Sequence, residues 1–311
     1  MDLHSMAVIG AGYMGGGIAQ SLAFAGHHVL LADATAELAE QARQRLCTQA
    51  LAYESAELTP PNSAIRMAKF LHAAPSIEAA VESAEYVTEA VPENLELKRS
   101  VLKRIGRAAE ESTIVATNTS AIGLAALADC LVQPFIVAHW FNPAPFVPLV
   151  EIAGNPAALD RVEPMLRRAG KVPVRVPDVP GFLGNRLQFA LYKEAVLIVE
   201  EGLATPEQVD IVVTNSFGSR LPFFGPFAVT DISGLDVYAN AFESLRAHYG
   251  DRFSAPSSLV EKVASGNLGV KTGGGYRGID ISAAGQLAAY RDQVFVSLAK
   301  LKQQLGPPPG L

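Results

Sequence analysis

Three short stretches hold side chains suited to moving a proton: Asn118-Thr119-Ser120, His139-Trp140-Phe141-Asn142-Pro143 and Leu149-Val150-Glu151. Taking hydride from a carbinol carbon leaves a hydroxyl proton that needs a base, and imidazole titrates nearest neutral pH. His139 closes an apolar run, Phe135-Ile136-Val137-Ala138, that reads as a buried strand, so its ring stands where strand gives way to loop. Reactive groups of parallel sheets collect at such ends. Pro143, Pro145 and Pro148 then turn the chain into a second apolar run holding Glu151, twelve residues on. If that run returns along the first, its carboxylate meets the imidazole, fixes the tautomer and balances an imidazolium. Ser120 follows the run Thr113 to Ala116 and is placed to hydrogen-bond a reacting oxygen. A lone histidine at a strand end is ordinarily structural, so the case rests on its surroundings.

Those surroundings begin at the N-terminus. Met6-Ala7-Val8-Ile9 is a short strand, followed at once by Gly10-Ala11-Gly12-Tyr13-Met14-Gly15 and the helical pattern Ile18, Leu22, Ala23, Ala25. In that context GxGxxG has a physical reading: a tight turn, a backbone approachable by pyrophosphate, and close packing of a helix whose N-terminus faces the phosphates. Val29 to Ala32 forms a second strand ending in Asp33, 21 residues after Gly12. A carboxylate there bonds a ribose 2′-hydroxyl and repels a 2′-phosphate, which favours NAD over NADP.

The alternation continues. A helix spans Glu37 to about Glu57, Thr59-Pro60-Pro61-Asn62 breaks it, and strand-like Lys69 to His72, helical Ser76 to Ser83 and strand-like Tyr86 to Thr88 follow. Glu89-Ala90-Val91-Pro92-Glu93-Asn94 leads into a helix from Leu95 to about Glu111. Glu93 and Lys98, at its start, either face the nicotinamide ribose or are ordinary solvated charges. A helix from Pro156 to Ala169 and a strand from Val172 to Val176 complete a Rossmann-type, doubly wound, mostly parallel α/β sheet over residues 1–178. Beyond Pro177-Asp178-Val179-Pro180-Gly181 the strand pattern stops, and residues 179–311 read as an all-α C-terminal domain. Its first helix, Phe182 to about Glu201, is apolar on more than one face, which favours packing on both sides and an oligomer.

Composition narrows the classes. A chain of 311 residues with 49% hydrophobic content builds two sizeable cores, and 25 basic against 31 acidic residues leaves a net charge of −6. No basic block suggests nucleic acid, and no apolar stretch reaches a membrane span. The sequence predicts a cytoplasmic protein acting on a small molecule. Cys47 and Cys130 suggest buried thiols and neither a disulfide nor a metal site.

Together these motifs resemble the short L-3-hydroxyacyl-CoA dehydrogenase family. The resemblance runs from Val8 to about Tyr276 and is carried by GAGYMG at 10–15, EAVPEN at 89–94, NTS at 118–120, HWFNP at 139–143 with LVE at 149–151, PGFLGNR at 180–186, GPF at 225–227 with GLD at 234–236, and GVKTGGGY at 269–276. It implies His139 as general acid/base, Glu151 as its orienting carboxylate, and Ser120 and Asn185 as hydrogen bonders to the substrate oxygen. It implies NAD contacts from Gly10, Ala11, Gly12, Tyr13, Met14, Gly15, Asp33, Glu93, Lys98, Ser120, Asn142 and Lys271, and a homodimer made through the helical domain. A short 3-hydroxyacyl-CoA is the first substrate class it implies, and a free small hydroxy acid or hydroxymethyl heteroaromatic acid the second. Two features depart from the CoA-using pattern: Trp140, where those relatives usually carry Phe, and a segment after the second strand that is short, Pro-interrupted and nearly neutral. β-Hydroxyacid dehydrogenases share GxGxMG but use a lysine in the interdomain helix, where this chain has Asn185 and Arg186. A non-catalytic NAD-binding protein has little reason to keep Ser120, His139, Glu151 and Asn185 together.

Overall fold

A computed structural model describes residues 3–309, which fall into two compact units divided between Leu191 and Tyr192. In the first unit β1 (Ser5–Ile9) leads into α1 (Tyr13–Phe24), β2 (His28–Ala32) and α2 (Ala36–Ser55), then α3 (Ser63–Phe70), β3 (Leu71–Ala73), α4 (Ile77–Val81) and β4 (Tyr86–Glu89). It continues through α5 (Leu95–Ala108), β5 (Ile114–Thr117), β6 (Phe135–Trp140), β7 (Leu149–Gly154), α6 (Pro156–Arg168), β8 (Val172–Arg175) and α7 (Gly184–Glu200), within which the division between the units falls. The sheet runs β3-β2-β1-β4-β5-β6-β7-β8, and β6 against β7 is its antiparallel pair.

Burial on both faces explains the apolar runs. Val8, Leu31, Ile114, Ala138 and Ile152 join Ile18, Leu22, Leu46 and Met165 in one core. Alternate residues of the same strands, Ala7, Ile9, Val87 and Val115, pack with Val101, Leu102 and Ile105 on the other face. Helix starts carry their own signals: Thr35 caps α2, Asn94 caps α5, and Asn155 caps α6 with proline in its first turn. In the segment after β2 the helix read over Glu37 to about Glu57 is α2, but beyond it Lys69 and Phe70 end α3 rather than begin a strand. Glu54 explains this, because its carboxylate accepts the N–H groups of Asn62 at 2.8 Å and Ala64 at 2.9 Å and so starts α3.

The second unit is helical: α8 (Pro206–Asn215), α9 (Pro226–Ser233), α10 (Leu235–Tyr249), α11 (Ser257–Ala264) and α12 (Ala284–Leu305). Thr205 and Gln208 form a reciprocal capping box at α8. Asp231, fully buried, accepts the N–H groups of Tyr276 at 2.8 Å and Arg277 at 2.7 Å, pinning the glycine-rich turn that follows Lys271. No helix among the described residues is long and apolar enough to cross a membrane.

Candidate active site

His139 and Glu151 are register partners across β6 and β7. Side chains directly opposite in an antiparallel pair share a face with Cβ atoms roughly 5 Å apart. The ladder therefore delivers the carboxylate to the imidazole: His139 Nδ1 lies 2.9 Å from Glu151 Oε2, and both residues are buried. The other carboxylate oxygen, Oε1, accepts the N–H groups of Leu183 at 3.0 Å and Gly184 at 2.9 Å. Unpaired N–H groups at the start of α7 thus fix and favour the carboxylate charge. Phe141 and Phe182 flank the imidazole with ring centroids 4.7 and 5.3 Å away. Phe182 takes φ +46, a left-handed conformation that a non-glycine residue adopts only when packing holds it, and it is 1% exposed. Asn185 follows directly on Gly184 and is half-buried.

The neighbouring strand ends converge on two carboxylates. Glu93 Oε1 accepts the Thr119 hydroxyl at 2.6 Å and the N–H groups of Ser120 and Ala121 at 3.0 Å each. Burial works against its charge, yet the Thr119 hydroxyl, the Ala121 N–H, the Lys98 ammonium and the Ser120 N–H hold Glu93 below the usual carboxylate range. Asn118 bridges β5 to β6 by accepting the Trp140 N–H at 2.9 Å. Lys98 corrects the solvated reading. It is wholly buried, with Nζ 2.9 and 3.1 Å from the two oxygens of Glu89, itself wholly buried, and 3.4 Å from Glu93 Oε2. Val91 O, at 3.3 Å, also accepts, so the three ammonium protons are already directed at the protein, and Lys98 braces Glu93 from below. Glu89, which also accepts the Thr117 hydroxyl at 2.6 Å, was missed as a site residue although EAVPEN contains it. Its burial follows from its place as the last residue of central strand β4.

The glycine-rich loop has the shape that a dinucleotide requires. A Cβ on Gly15 would lie 1.8 Å from Gly10 O, so helix and strand approach closely there, whereas nothing stands within 4 Å of a Cβ built on Gly12. Open space outside the second glycine and none beneath the third is what pyrophosphate at a helix N-terminus requires. Asp33 holds the loop by accepting the Ala11 N–H at 2.6 Å. Tyr13 is exposed, Met14 packs against the core, and Asn142 lines a cavity of about 400 Å³ with Gly12, Gly17 and Arg45. Lys271 lies in the second unit, where its ammonium pairs with Asp236 at 2.6 and 2.7 Å.

Residues 5–179 match the family model described as 3-hydroxyacyl-CoA dehydrogenase, NAD binding domain, and residues 181–278 match its C-terminal domain. The chain is similar to 5-formyl-3-hydroxy-2-methylpyridine 4-carboxylate 5-dehydrogenase of Mesorhizobium japonicum, 33% identical with 88% of this chain and 90% of that protein covered. It is also similar to a probable 3-hydroxybutyryl-CoA dehydrogenase of Bacillus subtilis, 35% identical with 89% and 97% covered. Among solved structures, the 3-hydroxyacyl-CoA dehydrogenase of Archaeoglobus fulgidus superposes with a TM-score of 0.79 at 32% identity, covering 97% of this chain and 99% of that one.

Proposed function

Because the chain belongs to the 3-hydroxyacyl-CoA dehydrogenase family, NAD-dependent oxidoreductases acting on CH–OH groups, we propose that it interconverts a short 3-hydroxyacyl-CoA and the 3-oxoacyl-CoA with His139 as acid/base. The observation that carries this reading is the buried His139–Glu151 contact of 2.9 Å, with the second carboxylate oxygen held by two backbone N–H groups. With Nδ1–H donated to Glu151, Nε2 presents its lone pair and takes the substrate hydroxyl proton as the C–O bond becomes a carbonyl. NAD, when bound, supplies the hydride acceptor. Glu151 then balances the imidazolium in a site where little water competes, which makes the attraction stronger than at a surface. Ser120 and Asn185 hydrogen-bond the reacting oxygen, and Asp33 takes the ribose hydroxyl. Glu93, braced by Lys98, holds the strand ends beside the nicotinamide ribose. In reduction the same proton returns from Nε2.

A second reading has its own support. CoA brings several phosphate charges, and the segment from Leu51 to Lys69 offers Arg66 and Lys69 against Glu54 and Glu57. Arg66 already donates to Phe24 O at 3.1 Å. Exposed ion pairs contribute at most about 1 kcal/mol each, so this segment grips phosphate weakly. A free hydroxy acid or hydroxymethyl heteroaromatic acid needs no such grip. The deciding experiment is NAD reduction with 3-hydroxybutyryl-CoA beside free 3-hydroxybutyrate, carnitine, gulonate and a hydroxymethylpyridine carboxylate. Turnover of the thioester alone supports the first reading; an inert thioester beside an active free acid replaces it with the second.

A further inference from the structure

Residues 141–148 join β6 to β7, and the three prolines among them donate no N–H. Carbonyls in such a loop need partners from elsewhere. Pro143 O accepts the N–H groups of Phe146 at 3.0 Å and Val147 at 2.9 Å, and Pro148 O accepts that of Val172 at 2.8 Å. The carbonyls of Ala144, Pro145 and Val147 converge instead on the ammonium of Lys171, at 2.5, 3.4 and 3.1 Å. Lys171 is 6% exposed, and its ammonium is set against these carbonyls and the Trp140 ring, 5.4 Å from the centroid, with no carboxylate paired to it among the described residues. Three protons radiating from one atom suit three converging carbonyls, a geometry that no neutral side chain reproduces. On its far side the loop rests on α1, where a Cβ on Gly17 would lie 3.2 Å from Ala144 Cβ and from Pro145 Cδ. Phe146 meets Tyr53 of α2 edge-on at 4.9 Å.

We propose that Lys171 is a positioning residue for the reaction, its ammonium gathering the carbonyls of residues 144, 145 and 147 so that Asn142 and Pro143 stand in the wall of the cavity beside the glycine-rich loop. The proposal rests on the dehydrogenase reading only in taking that cavity as part of the ligand path. The clip is also sensitive to alkali. Burial pushes the Lys171 ammonium down to about 8, and a neutral amine has two protons for three carbonyls. The charged side chains lining the cavity of about 360 Å³ around Lys171 are Arg66 of α3 and Arg168 of α6.

Trp140 is the sole tryptophan and lies beside the ammonium, so its emission reads the clip directly. Titrating the ligand-free protein from about pH 7 to about pH 9.5 should give one transition near pH 8. Lys171→Met should abolish the transition, weaken NAD or substrate binding about tenfold, and lower kcat by less than about threefold, the split expected of lost positioning. Lys171→Arg should restore most of the affinity without the transition. A transition that survives in Lys171→Met, or unchanged affinities in that variant, would overturn the proposal. If Lys171→Met does not fold, Lys171→Arg decides, because a transition that survives there would overturn it. The emission transition does not depend on turnover, so a protein that shows it yet oxidises no alcohol counts against the dehydrogenase reading and not against the clip.

Discussion

Glutamine in place of His139 keeps a polar side chain in the aromatic slot but removes the base. We expect kcat to fall about 10²–10⁴-fold with NAD affinity held within about twofold, measured by steady-state assay and fluorescence titration; near-normal turnover would remove His139 from the mechanism. Lys98 tests a different claim. It and Glu89 are both wholly buried, so Lys98→Met strands a carboxylate and should cost about 3–5 kcal/mol in urea unfolding. A loss under about 0.5 kcal/mol, the usual surface value, would mean that the pair is not closed in solution. Lys171 shapes stability in a pH window of its own. Its folded value near 8 lies below the ordinary lysine value of 10.5, so between them the unfolded chain binds more protons, and this group makes the fold more stable as pH rises. One proton sets a ceiling of about 1.4 kcal/mol per pH unit, and partial solvation keeps the slope under it. Tyr86, pushed up to about 12 by burial, acts in the opposite sense above its ordinary value of 10. Wild type should therefore gain stability relative to Lys171→Met from about pH 8 to pH 9.5, and parallel stability curves would contradict the shift.

Elements report how far local rules reach. The strand, glycine turn, helix and Asp33 were legible because each signal lies within a few residues of what it specifies, and Gly15 shows how firmly. Gly15→Ala puts a Cβ against Gly10 O, and we expect dinucleotide binding to be lost and the melting temperature lowered by several degrees; a variant that binds NAD normally would show that the loop has room. The His139–Glu151 approach was legible for a second reason, since two apolar runs joined by a proline-rich turn have little choice but to return antiparallel. Helix α3 was not, because what starts it is the Glu54 carboxylate reaching the N–H groups of Asn62 and Ala64. Neither was the burial of Lys98, whose helix-start position reads as solvated until the end of β4 is known to lie beneath it, nor the lysine that binds the 141–148 loop from the start of β8.

Over the whole molecule, the helical segments leave much apolar surface uncovered: Leu187, Phe189 and Tyr192 of α7, and Ile211 and Val212 of α8, are each at least 60% exposed. Monomeric proteins seldom present such patches. We expect sedimentation equilibrium of the full chain at micromolar concentration to give a homodimer, which a charge placed at Phe189 weakens; a strict monomer would contradict this. The placement of the acid/base pair also bears on descent. His139 and Glu151 meet through the register of two strands, and the eight residues between those strands contribute nothing to the pairing itself. Insertions or deletions confined to residues 141–148 can accumulate in a lineage without parting the two side chains, while one residue added within either strand turns its partner to the opposite face. Substrate preference can therefore diverge among descendants in the hairpin while the proton chemistry is inherited unchanged in the strands.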